Sequence, residues 1–272
     1  MNELWASALP ETRVHPSPKW LRATVGDRVV VDTRAGLLVW EPRRVVASYA
    51  VPVGDVAAEL VPWTGAEVEA NPVALGLVDA PVLDPSSPFL AHSSPGRPLT
   101  VRLPEGDLVG AAFAADDPDL AGYVVLDWSA FTRWFEEDEE VTGHPRDPFD
   151  RIDCCRSSRH VVVARDGVTL ADSRRSTLLF ETPLPTRYYL PREDVAMELL
   201  VPSALRSVCA YKGNARYWSA ELGGRLVRDI AWSYEVPRHD AAPVRDLIAF
   251  FTERLDLTLD GAGQQRPVTP WS

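Results

Sequence analysis

Short apolar runs alternate with polar residues at a period of two along much of the chain, and Gly, Pro or charged turn residues close most of them. "HVVVA", "VTLAD", "TLLFE", "TRYYL", "RYWSAEL" and "RLVRDIAWSY" are each of strand length and rich in β-branched or aromatic side chains, which suit a pleated, half-buried surface. Gly223-Gly224 separates the last two at the spacing of a tight hairpin, where glycine supplies the positive φ such turns require. One segment departs from this pattern. In "DWSAFTRWFEEDEEV", Phe131, Trp134 and Phe135 fall at helical spacing and Arg133 precedes Glu137 by four residues, which predicts a surface helix with its acidic run, residues 136–140, toward solvent. "GHPRDPFDRID" reads as a connector, residues 76–98 as an ordered loop or flap, and "HPSP" and "QQRPVTPWS" as frayed ends.

The pattern also recurs on a longer scale. Residues 29–62 lie over residues 169–202 so that Asp32 falls on Asp172, Glu41 on Glu181, Tyr49 on Tyr188, Asp55 on Asp194 and Glu59 on Glu198. So many unlike residue types in step indicate a tandem duplication. The expected architecture is mainly β: two tandem small antiparallel β domains with a short helix and linker between them. The first, residues 1–142, is a degenerate copy with a long loop and a C-terminal helix; the second, residues 143–272, carries the candidate site.

Charge and composition narrow the function. Acidic residues exceed basic ones by 11, so the overall field repels phosphate backbones and anionic headgroups, and neither nucleic acid nor a membrane is an expected partner. No apolar run reaches membrane-spanning length, and the first residues lack the basic start and apolar block of an export signal. Of three cysteines, Cys154 and Cys155 are adjacent, a poor geometry for a bridge, so a reduced, cytoplasmic setting fits. No phosphate-binding loop, nucleophile elbow or dinucleotide fingerprint occurs, and no cofactor or metal site is expected. The scattered His144, Asp147, Asp150, Asp153 and His160 read as linker polar groups.

The chemistry concentrates in "CAYKGNARYWSAELGGRLVRDIAWSYEVP", residues 209–237. Asp229 lies in a strand apolar on both faces, where a carboxylate must find a donor or cation. Lys212 is the nearest cation outside a solvated run, which predicts a Lys212–Asp229 pair with Cys209 beside it as the catalytic candidates. Tyr188, Tyr189, Tyr217, Trp218, Trp232 and Tyr234 supply polar-tipped aromatic walls of the kind that line ligand pockets, and Arg187 joins them as a ligand-binding candidate. The first copy carries "LAHSSPGRPLTVRL" and "AAFAADDP" where these residues would stand, lacking the Cys, Lys, Asp and Trp, so the site is expected in the second copy alone. The expected partner is a small molecule; a non-catalytic interaction module with aromatic core residues and an acidic helix around Trp134 is the alternative.

"RSSRHVVV", "DSRR", "LFET", "PTRYYLPREDV", C-x-x-K-G-x-A-x-Y-W over residues 209–218 and D-x-A-W-x-Y-x-x-P over residues 229–237 resemble the family catalogued as domain of unknown function 427, in its two-copy form. The resemblance implies a compact β fold akin to β-tent folds and a bacterial cytosolic protein, and it implies no established reaction.

Overall fold

The computed structural model describes residues 7–66, 68–74, 76, 81–84, 86–181 and 184–272, and part of the loop expected over 76–98 lies outside them. The chain divides into two compact units, Met1–Ala74 with Val78–Asp147, and Pro148–Ser272 with Leu75–Leu77. Both are built from antiparallel strands. In the first unit these are β1 (Arg13–Pro16), β2 (Leu21–Val25), β3 (Arg28–Thr33), β4 (Leu37–Trp40), β5 (Ser48–Pro52), β6 (Glu59–Pro62), β7 (Pro72–Val73), β8 (Val82–Leu83), β9 (Gly96–Arg102), β10 (Leu108–Ala115), β11 (Tyr123–Leu126), β12 (Arg133–Glu136) and β13 (Glu139–Val141). The second contains β14 (Ile152–Ser157), β15 (Val161–Arg165), β16 (Val168–Ser173), β17 (Ser176–Glu181), β18 (Leu184–Leu190), β19 (Leu200–Cys209), β20 (Gly213–Leu222), β21 (Arg225–Ser233), β22 (Ile248–Phe250), β23 (Asp256–Leu259) and β24 (Ala262–Gly263).

The first unit pairs a seven-stranded sheet, β1-β4-β5-β11-β10-β9-β6, with a four-stranded sheet, β13-β12-β2-β3. In the second unit the orders are β14-β17-β18-β22-β21-β20-β19 and β16-β15-β23-β24. Each strand of these sheets has its counterpart in the other unit, at the same place in the seven-stranded lists and in reverse order in the four-stranded ones. Within each unit one apolar core joins the two sheets: Leu21, Ala23, Trp134 and Val101 belong to it in the first, and Val161, Leu170, Ile230 and Leu257 in the second. A smaller core covers the far face of each seven-stranded sheet, around Phe113 and Leu120 in the first and around Tyr189, Trp232 and Val244 in the second.

Three sequence expectations give way here. The segment expected as a helix is instead a single 3-10 turn, Trp128–Ala130, followed by strands β12 and β13. Aromatic spacing fits both periods over so short a run, and pairing of Trp134 with Ala23 and of Phe135 with Arg22 supplies bonds a lone helix would lack. The acidic run is not uniformly solvated either: Glu136 is buried, accepting from Lys19 Nζ at 2.5 Å and Tyr49 Oη at 2.5 Å. Nor are the expected frayed ends loose. His15 pairs with Leu38 in β1, and Thr269 is buried near the C-terminal end. Among the described residues no helix is long and apolar enough to cross a membrane.

Candidate functional site

The turn between β19 and β20 places the central lysine. Cys209 pairs with Gly213 across it, and Gly213 takes φ +97, a conformation glycine adopts without steric cost. A Cβ at Gly213 would also stand 3.3 Å from the Val236 carbonyl oxygen and 3.6 Å from the Arg238 nitrogen. That close segment matters, because Arg238 N–H donates to the Lys212 carbonyl at 3.2 Å and fixes the turn. The lysine side chain is thereby turned inward. Its Nζ donates to Glu181 Oε2, and the two side chains are 10% and 7% exposed. Burial opposes the charge on Lys212, yet the Glu181 carboxylate, with Cys209 and Tyr189 nearby, outweighs it and holds the ammonium pKa above its ordinary value. Lys212 is therefore a fixed cation and donor at neutral pH; a free amine nucleophile would need the opposite shift.

Tyr189 and Tyr234 stand near this pair. Tyr189 is fully buried, and its hydroxyl accepts from Trp232 Nε1 at 3.0 Å, the rings meeting edge to face. Burial pushes the phenol pKa of Tyr189 and of Tyr234 upward, so both remain hydroxyl donors. Tyr217 is half-buried, shares a 2.7 Å hydrogen bond with Ser207 Oγ and stacks on Phe251. Tyr188 and Trp218, expected in the same wall, belong to the opposite face. Successive strand residues point to opposite sides, and both pack into the core between the two sheets, where Trp218 Nε1 donates to Ser233 Oγ at 3.3 Å. Arg187 also keeps a closed partner: it bonds Glu253 through two nitrogens, at 2.9 and 2.7 Å, and lies over the rings of Trp232, Phe251 and Trp271. Thr269 Oγ1 adds a third bond to Glu253 at 2.7 Å. Burial alone would raise the Glu253 pKa, but the bonds from Arg187 and Thr269 hold it below the usual carboxylate value.

Asp229 is not the partner of Lys212. It occupies a bulge where the pairing of β20 with β21 shifts between Trp218 and Ala220, with φ +52. Its N–H donates to Ser219 Oγ at 3.1 Å, its carboxylate accepts from Ser203 Oγ, and its carbonyl accepts from Arg254. The first unit forms the same bulge, with Gly110 at φ +65 donating to Thr100 Oγ1 at 3.1 Å. Asp is among the few side chains that tolerate this left-handed conformation, so the residue answers a backbone requirement. Lys212 precedes the start of β20 while Asp229 faces Ser219, a separation of roughly 20 Å along the strand.

Glu181, the actual partner, was signalled in the sequence by its coincidence with Glu41 and its place in "LFET". Glu41 is likewise buried, at 4% exposure, with Arg44 Nε at 3.1 Å, His92 Nδ1 at 3.2 Å and Ser94 Oγ at 2.7 Å. His92 stacks on Phe113, the strand counterpart of Trp232. The first unit thus keeps a buried carboxylate with different donors, where its sequence had promised a site stripped of polar groups.

A buried lysine–carboxylate pair under tyrosine hydroxyls, on the far face of a seven-stranded antiparallel sheet, defines the second unit as a β domain with a charged interior. Residues 153–261 match the family described as Domain of unknown function (DUF427). No curated protein matches the chain.

Proposed function

We propose that the second unit binds a small polar molecule, with the protonated Lys212–Glu181 pair as its receptor. Cys209 and Tyr217, both partly exposed, form the approach, and Tyr189, Tyr234 and Trp232 form the walls. The observation that carries the reading is a lysine withdrawn from water, held charged by one carboxylate, with the Tyr189 hydroxyl and Cys209 nearby. Apolar residues of the same volume would serve stability as well or better. A fixed ammonium there suits a carbonyl or carboxylate oxygen, and its raised pKa argues against imine chemistry through Lys212. Arg187, closed by Glu253, supports the walls. The matching strand orders and the shared bulge support descent of both units from one duplicated domain. A second reading, favoured by the buried Glu41 of the first unit, makes the Lys212–Glu181 pair a clasp that locks the β19–β20 turn to β17 without a ligand.

Tryptophan fluorescence separates the two, since Trp232 is bonded directly to Tyr189. Short oxo acids, hydroxy acids and amides are titrated into the wild type and into Lys212→Arg, which keeps the charge but changes donor geometry. Saturable quenching in the wild type that weakens at least about tenfold in Lys212→Arg is expected, and tenfold corresponds to about 1.4 kcal/mol. Identical responses from the two folded proteins, or none from either, leave the clasp reading standing.

A further inference from the structure

At the other end of β20 from Lys212, a cavity of about 380 Å³ opens where the β15–β16 and β20–β21 hairpins approach the turn before β23. Its lining is strongly basic in a chain that is acidic overall. Arg165, Arg225, Arg228 and Arg254 all border it, against a single carboxylate, Asp166. Leu226 and Val227 give it an apolar wall. Asp166 is spread toward solvent, its side chain 82% exposed and 3.5 Å from Arg165 Nε. Among the described residues, Arg225, Arg228 and Arg254 make no ion pair.

Arg254 is the anchored member. It donates to the carbonyls of Arg228 and Asp229, lies over Phe251 and leaves its Nε buried without a partner. Arg165 in turn donates to the Arg254 carbonyl at 3.2 Å, so two guanidiniums are positioned by backbone and two, on Arg225 and Arg228, project from the exposed hairpin. Strand pairing gives the counterparts of these four positions in the first unit: Val25, Gly106, Val109 and Ala130, none of them charged. The shared framework therefore does not require the arginines.

We propose that this cavity is a binding site for a small phosphoryl-bearing ligand, a phosphate monoester with an apolar substituent. One carboxylate is satisfied by one forked guanidinium, whereas a phosphoryl dianion offers three oxygens and accepts from several at once. Leu226 and Val227 face the substituent. A long polyanion is disfavoured because the charge is gathered in one small cavity and the whole chain carries a net charge of −11.

The test is calorimetric titration of the full chain with phenyl phosphate, inorganic phosphate and a single-stranded oligonucleotide, repeated on Arg225→Glu with Arg228→Glu, a pair of exposed substitutions whose folding is checked by circular dichroism. Saturable binding of phenyl phosphate with a dissociation constant at or below about 1 mM is expected, weakening at least about tenfold in the double variant. Affinity should rise as pH passes upward through about 6, where the phosphoryl group gains its second charge. Tighter binding of phenyl phosphate than of inorganic phosphate assigns an ester, and equal binding assigns free phosphate to the same site. No saturable binding of either phosphate, unchanged binding by the double variant, or binding of the oligonucleotide alone overturns the proposal.

Discussion

The side chain whose environment most governs the second unit is Lys212. Its charge is tolerable in the interior only because Glu181 stands within bonding distance, and each needs the other. Lys212→Met removes the cation and strands a carboxylate in a nearly dry place, so urea unfolding should show a loss of about 3–5 kcal/mol. Adding Glu181→Leu should restore most of that loss, because an apolar pair of similar volume has no charge to desolvate. A double variant no more stable than Lys212→Met would show that the stranded charge is not the cause. The lysine was legible in the sequence as a buried cation, but its partner was not. Sequence proximity within a hairpin favoured Asp229, while the partner comes from β17, some thirty residues earlier in the chain.

At the level of the element, the β20–β21 hairpin shows how backbone demands masquerade as chemistry. Gly223 and Gly224 take φ +54 and +76 and make the tight turn their spacing predicts. Further along, the bulge at Asp229 repeats the one at Gly110 down to the hydroxyl that accepts the bulge N–H. Asp229→Gly should therefore be tolerated to within about 1 kcal/mol, since glycine offsets the lost Ser203 bond with an unstrained left-handed backbone. Asp229→Val should cost more, because a β-branched residue is a steric outlier at positive φ. Thermal melts of the two variants check this, and equal losses would return the carboxylate to a functional role. The strand over Arg133–Glu136 was misread for the complementary reason. Over four residues a helical and an extended apolar pattern are hard to tell apart, and only the neighbouring β2 decides between them.

For the molecule as a whole, the buried ionisable groups define the pH range of stability. Lys212, Tyr189 and Tyr234 all have pKa values raised in the folded state. They bind protons more tightly folded than unfolded, so their contribution is complete below about pH 10, the ordinary range for both residue types, and is lost as pH rises beyond it. Glu41 and Glu253 are lowered, so theirs is present above the ordinary carboxylate value of about 4.3 and fades as pH falls below it. Urea midpoints should hold a plateau from about pH 5 to pH 10 with a decline on either side. Glu253→Gln should flatten the acid limb, and an unchanged acid limb would remove Glu253 from the account. The sequence by itself determined the β class, because period-two patterning and turn residues are local properties. It also displayed matching segments in the two halves, and an acidic balance set by composition. Only the tertiary structure decided which charges meet, which face each aromatic takes, and that four arginines spread over about ninety residues border one cavity. Those facts depend on strand register and on contacts between distant segments, and a one-residue change of register moves every side chain to the other face.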